Sequence, residues 1–199
     1  LVLFFRKEPL TSEIFGGNTM RIITAGALAA TILAASPAFA TLQPGVAAPD
    51  FATMATLGGK EFSFSLADAL KKGPVVLYFY PAAFTSGCTE EAHEFADAVP
   101  KFAALHATVI GVSMDGIQKL DKFSVLECRS KFPVASDKSG SISHAYEAVL
   151  SGMLGYSSRT SYVIAPTGQI VYAYNAMDPT GHVGNTLKAV TDWEATHKP

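Results

Sequence analysis

Cys88 is the residue best placed to do chemistry, and its surroundings matter more than its rarity. It ends the run Pro81-Ala82-Ala83-Phe84-Thr85-Ser86-Gly87-Cys88. That run follows the continuous apolar stretch VVLYFY (75–80) and precedes an amphipathic pattern reaching about Leu105. A continuous β-branched and aromatic run of this kind predicts a strand covered on both faces. Cys88 therefore falls in the first turn of a helix that leaves the C-terminal end of a buried strand, where reactive groups collect in open α/β sheets. The free N–H groups and positive dipole end of such a helix favour a thiolate over a thiol. Gly87 permits close backbone approach, while Thr85 and Ser86 bring hydroxyl groups to the neighbourhood. The alternative is a small core cysteine, a common fate for this side chain.

Thr89, Glu90 and Glu91 follow Cys88, so there is no C-x-x-C pair and no dithiol exchanger of that kind. The missing C-x-x-x-C argues in the same way against a copper-delivery site. His93 falls off the Cys88 face of the helix and reads as a surface or core histidine rather than a ligand. No metal or other cofactor is expected.

The elements that must position Cys88 follow from periodicity. TVIGVSMD (108–115) reads as a second buried strand and about 118–129 as a helix with Leu120, Phe123 and Leu126 inward. The first helix turns Ala92, Phe95, Val99, Phe102 and Ala103 inward. A short strand at 132–135 and a helix at 141–150 come next, then two strands within 160–176 joined at Pro166-Thr167-Gly168, and a last helix over about 181–197. The order is βαβα followed by a hairpin and a helix. It predicts an α/β domain with a mixed central sheet, helices on both faces, and the element order of a thioredoxin-like fold.

Composition sets the outer limits. The 199 residues are 49% hydrophobic and 16% charged, with two cysteines and a formal charge of −2, which excludes a disordered or disulfide-stapled chain. Near-neutral charge with no Lys/Arg block excludes a general nucleic-acid binder. Met20–Ala40 reads as a secretory signal: Arg21, an apolar run from Ile22 to Ala35, and an Ala38-Phe39-Ala40 cleavage site. A helix of that apolar length spans roughly 21 Å against a ~30 Å hydrocarbon core, which disfavours the alternative of a retained anchor. Residues 1–19 read as a mis-assigned upstream start with no folded role. One domain is expected over 41–199, exported to the periplasm or beyond, with no stable membrane association once the signal is removed. At this size it buries roughly 70% of its unfolded surface. Its cysteines are thus free for chemistry rather than needed as staples.

The run from Pro81 to Cys88 matches P-x-x-x-T-x-x-C, and the chain resembles the peroxiredoxins on that ground. Ala48-Pro49-Asp50-Phe51, Ser113-Met114-Asp115, Phe132-Pro133-Val134-Ala135-Ser136-Asp137 and Arg159-Thr160-Ser161-Tyr162-Val163-Ile164 resemble further family segments, in the family's order. Gly87-Cys88-Thr89 with Glu91-Ala92 is most similar to the bacterioferritin-comigratory-protein, or peroxiredoxin Q, group. The resemblance implies a thioredoxin-fold peroxidase acting on hydrogen peroxide or organic hydroperoxides. Cys88 would be the peroxidatic thiolate that becomes a sulfenic acid. Thr85 would orient thiolate and peroxide, Arg159 would hold the thiolate charged, and Pro81 would shield the sulfur. Arg129 and Arg159 are the two arginines after residue 40, so few side chains suit that role; an ordinary surface ion pair is the alternative for either. Glu91 would orient Arg159, unless it is simply an exposed first-turn acid.

Many members of that group carry a resolving cysteine five residues after the first, where this chain has His93. Other peroxiredoxins place it on the helix after the second strand, which implies Cys128 here. A Cys88–Cys128 disulfide within one chain is then expected, reduced by a thioredoxin-like or other dithiol partner. It needs Cα atoms within ~7 Å and an unwound first turn after Cys88. Alternatives are a one-cysteine peroxidase resolved by an external thiol, or a redox sensor or binding module on the same fold. A monomer or weak homodimer is implied.

Overall fold

The computed structural model describes residues 41–197, so the expected signal and upstream segment lie outside the described residues. In chain order the elements are β1 (Ala52–Leu57), β2 (Lys60–Ser65), α1 (Leu66–Leu70), β3 (Val75–Phe79), α2 (Ser86–Ala104), β4 (Thr108–Ser113), α3 (Ile117–Leu126), β5 (Val134–Ser136), α4 (Ser141–Ala145), β6 (Thr160–Ile164), β7 (Ile170–Asn175) and α5 (His182–Thr196). Seven strands form one mixed sheet in the order β2-β1-β5-β4-β3-β6-β7. This is the thioredoxin-like arrangement, with β4 the middle strand and β3 beside it, parallel to β4 and antiparallel to β6.

The two-residue alternation of β3 builds both layers. Val76, Tyr78 and Tyr80 enter one apolar cluster with Phe95 and Phe102 of α2, Leu120 and Phe123 of α3, and Val183 and Val190 of α5. Val75, Leu77 and Phe79 enter the other, against Leu66 and Leu70 of α1 and Ile142 of α4. A strand buried on both faces must read as an unbroken apolar run, and all five residues of β3 are buried.

Several boundaries differ from the periodic pattern. The β1–β2 hairpin and α1 were not anticipated; the hairpin lies at the sheet edge, where Met54, Leu57 and Phe62 remain exposed and blur the alternation. α4 stops at Ala145 rather than 150, because Glu147 turns left-handed at φ 53° and Ala148 N donates back to Ser143 O. α3 stops at Leu126, which is 62% exposed rather than inward. Its end is closed by N–H groups of Cys128 and Ser130 on the carbonyls of Phe123 and Ser124, with Arg129 and Ser130 left-handed. That reversal turns Cys128 into the core. Ala103 of α2 is exposed, and Phe102 alone carries the packing at that turn.

Candidate active site

The chain leaves β3 through a tight bend at Pro81 and enters α2 at Ser86. Asp115, just beyond β4, fixes this loop: its carboxylate accepts from Ala83 N at 2.7 Å and Ser113 Oγ at 3.0 Å, and pairs with Lys119. Phe84 is left-handed at φ 66° and rests its ring edge-on against Phe123. Thr85 takes the N-cap position in extended geometry, but its hydroxyl donates to Ala82 O at 3.0 Å rather than capping the helix. Cys88 then lies in the first helical turn and is 1% exposed. Its sulfur sits against the helix end that stabilises negative charge.

Arg159 reaches Cys88 from the start of β6. It is 4% exposed, and each guanidinium nitrogen has a separate partner. Nε donates to Met177 O at 3.0 Å, Nη1 to Glu91 Oε2, and Nη2 to Cys88 Sγ at 3.4 Å. A planar fork can serve three acceptors in fixed directions, which an ammonium cannot. Burial works against the Arg159 charge, but Glu91 and Cys88 beside it hold its pKa above the usual arginine value. Gly87 leaves room for this approach: a Cβ there would lie 3.1 Å from Nη2.

Glu91 is fully buried on α2, one turn after Cys88, rather than exposed. Burial pushes its pKa up to about 8 in spite of Arg159, and Glu94 adds to the shift. Its other oxygen, Oε1, has no hydrogen-bond partner and faces Nδ1 of His182 at 3.6 Å. His182 is also fully buried, and burial lowers its pKa to about 4 against the opposing pull of the Ala176 carbonyl.

The structure therefore brings Cys88, Arg159 and Glu91 into contact, with Thr85 and Pro81 on the entering loop. Cys128 stays a free thiol, buried in the same apolar cluster as Cys88. Burial, reinforced by the Glu127 charge, raises its pKa well above the ordinary thiol range. His93 does not touch Cys88; its Nε2 pairs with Glu127 Oε2 at 2.8 Å, and Arg129 pairs with Asp97 at 2.7 Å. Both pairs tie α2 to the residues flanking Cys128. Among the described residues no group of three or more His, Cys, Asp or Glu side chains converges as a metal site.

The sequence reading missed His182 and the anchoring role of Asp115. Asp115 had a signal, as the polar residue ending a buried strand beside the switch in chain direction. His182 had none, because its partners come from α2, β6 and the segment after β7.

A model of the AhpC/TSA family matches residues 44–173. A Mycobacterium tuberculosis relative named as a peroxiredoxin is 42% identical over 98 residues, which span 48% of this chain but 62% of that relative. The chloroplastic peroxiredoxin Q of Triticum aestivum is 36% identical over 151 residues, covering 75% of this chain and 67% of its own length. The crystal structure of peroxidoxin BcpB from Mycobacterium tuberculosis superposes with a TM-score of 0.69 at 30% identity, over 76% of this chain and 97% of that one.

Proposed function

The chain belongs to the AhpC/TSA family, the peroxiredoxins, and we propose that it is a thiol-dependent peroxidase with Cys88 as its peroxidatic group. The observation that carries this reading is the Arg159 Nη2 donor 3.4 Å from a Cys88 sulfur almost closed to water. The Cys88 thiolate attacks one oxygen of a peroxide; the S–O bond forms as the O–O bond breaks. The leaving alkoxide, or hydroxide for hydrogen peroxide, takes up a proton, and the sulfur is oxidised by two electrons to sulfenic acid. Arg159 and the α2 N-terminus face the charge that develops on the breaking bond. The Thr85 hydroxyl spends its hydrogen on Ala82 O, so its lone pairs are free to accept from the peroxide O–H. Pro81, on the loop that enters α2, limits the approach of water.

In the second half-reaction the Cys128 sulfur attacks the sulfenic sulfur of Cys88, forming a disulfide and releasing water, and a thioredoxin-like or other dithiol then reduces the bridge. Cys128 is buried and its thiolate disfavoured, so this step needs the first turn of α2 and the end of α3 to open. That burial equally favours a second reading, a one-cysteine cycle closed by an external thiol. Non-reducing peptide mapping after one equivalent of peroxide tests both. A Cys88–Cys128 peptide in wild type, with sulfenate persisting in Cys128→Ser, is the expected result. Unchanged turnover of Cys128→Ser with thioredoxin rejects the bridge. A peroxide rate no better than that of free cysteine rejects the enzyme and leaves a redox sensor or binding module.

We also propose export, from the pattern of residues 20–40; mature protein beginning at Thr41 is the expected N-terminus, and one retaining Phe4 or Phe5 overturns it. A monomer or weak homodimer is the proposed state, checked by sedimentation of the reduced protein.

A further inference from the structure

Resting on the peroxidase reading, a further role emerges at the closed end of the site. Cys88, Arg159, Glu91 and His182 form one buried cluster, all at most 4% exposed. Arg159 brings a single positive charge. A thiolate at Cys88 and a carboxylate at Glu91 would bring two negative ones into a region without water to screen them. One oxygen of Glu91 already accepts from Arg159, whereas the other, Oε1, lies 3.6 Å from His182 Nδ1 and has no hydrogen-bond partner. A buried carboxylate oxygen with no donor is costly, but a carboxylic acid O–H aimed at an imidazole nitrogen is not.

The imidazole is oriented to accept that hydrogen bond. His182 Nε2 is 2.9 Å from Ala176 O, an acceptor only, so Nε2 carries the hydrogen and Nδ1 offers its lone pair. Ser161 Oγ, 2.8 Å from Nδ1, can only donate to that lone pair, so a Glu91 O–H shares Nδ1 with the Ser161 hydroxyl. The Tyr174 ring stands edge-on against the imidazole at 4.7 Å and fixes its plane.

We propose that His182 is a positioning residue that accepts a hydrogen bond from a protonated Glu91, so that Glu91 stays neutral and the Arg159 charge is left to the Cys88 thiolate. The cluster is then neutral overall: one guanidinium, one thiolate, one carboxylic acid, one imidazole. The upward shift of Glu91 and the downward shift of His182 put the proton on the same partner. The charged groups bearing on His182 from its neighbours are Arg159 just before β6, Asp178 after β7 and Glu91 on α2. Asp178 favours its protonation and Arg159 opposes it. Glu94, one turn beyond Glu91 on α2, further disfavours a carboxylate at Glu91.

The test follows alkylation of Cys88 by iodoacetamide against pH in the reduced full chain, resolved by peptide mass. His182→Phe keeps the ring but removes the acceptor, so Glu91 ionises more readily and competes for Arg159. The pH at half-maximal alkylation is expected to rise by about one unit. In a Glu91→Gln background, where position 91 cannot ionise, the same replacement is expected to have no effect; with Glu91 present, His182→Asn, which keeps an acceptor, is expected to leave the half-maximal pH at the wild-type value. No shift, or an equal shift in both backgrounds, overturns the proposal. Should His182→Phe fail to fold, the infrared difference between wild type and Glu91→Gln at neutral pH decides. The carbonyl band of a buried protonated carboxyl group is expected, and its absence overturns the assignment. Peroxide turnover is scored separately: an intact alkylation pattern in a protein that consumes no peroxide rejects the peroxidase and leaves the proton placement standing.

Discussion

Arg159→Lys keeps a positive charge in the site but breaks the fork, and its cost can be worked from the geometry. Nη2 lies 3.4 Å from the Cys88 sulfur. A unit charge pair at that separation is worth about 5 kcal/mol at an effective dielectric of about 20, an upper bound for what a charge there supplies. Lysine has one nitrogen for acceptors that arginine meets with three: Met177 O, Glu91 Oε2 and Cys88 Sγ. Its ammonium cannot occupy the Nη2 position while also holding Glu91. The expected loss is that of one preorganised donor at a developing charge, about 3 kcal/mol, or roughly 10²-fold in the second-order rate constant with hydrogen peroxide. Arg159→Gln, which removes the charge altogether, is expected to lose more. Competition of the reduced protein against a haem peroxidase for limiting peroxide measures both rates, with circular dichroism to check folding. A folded Arg159→Lys protein within about threefold of wild type would show that the directed guanidinium fork is not what sustains Cys88.

Gly87→Ala places a Cβ 3.1 Å from Arg159 Nη2 and should displace it by a few tenths of an ångström; a roughly tenfold slower peroxide reaction is expected with little change in melting temperature. Stability should fall between pH 6.5 and 8. Below 6.5 the proton that folded Glu91 keeps (ordinary value 4.5, raised to about 8) offsets the one that folded His182 refuses (6.5, lowered to about 4), whereas above 6.5 only the Glu91 difference remains, for a loss of about 2 kcal/mol. Urea midpoints at the two pH values check this, and Glu91→Gln should flatten the difference. The pairs His93–Glu127 and Arg129–Asp97 that flank Cys128 are partly exposed and worth under about 1 kcal/mol each, so His93→Gln with Asp97→Asn should speed Cys88–Cys128 bond formation by at most about thirtyfold in quenched-flow alkylation.

The β3–α2–β4 unit was legible because burial on both faces forces an unbroken apolar run, and because a loop of Pro, Thr, Ser and Gly between strand and helix is locally encoded. Cys88 and its place at a helix start followed directly. The β1–β2 hairpin was not legible by alternation, since most of its apolar residues face water, although Gly58-Gly59, at φ 58° and 76°, marks the turn between two strands. The end of α4 was overrun because Ser141–Leu150 keeps a helical apolar pattern past the left-handed Glu147 that stops it. Arg159 and Glu91 were candidates only through a family motif. Their meeting, 68 residues apart in sequence, is a product of β6 lying beside β3 in the sheet. His182 is the extreme case: nothing near it in the chain marks it, and its chemistry comes from being packed behind a carboxylate.

Burial accounts for both halves of the proposed cycle, in opposite directions. Around Cys88 it strengthens the interaction with Arg159 and keeps water from competing. Around Cys128 the same apolar packing, with Phe123 and Phe132 in one cluster, disfavours the thiolate that must attack. The second step therefore waits on local opening, and the segment that must open is held by a left-handed helix end and two partly exposed ion pairs rather than by a regular element. In the proposed cycle, sulfenic acid persists for as long as that segment stays closed. A chain built this way exposes its oxidised sulfur to a second peroxide in proportion to the closing lifetime, so loosening the Arg129–Ser130 turn should protect Cys88 from sulfinic acid even as it lowers stability. Ser130→Gly relaxes one of the two left-handed residues in its closed form, and is expected to act in the opposite sense: slower disulfide formation and more sulfinic acid per turnover, read by intact-protein mass.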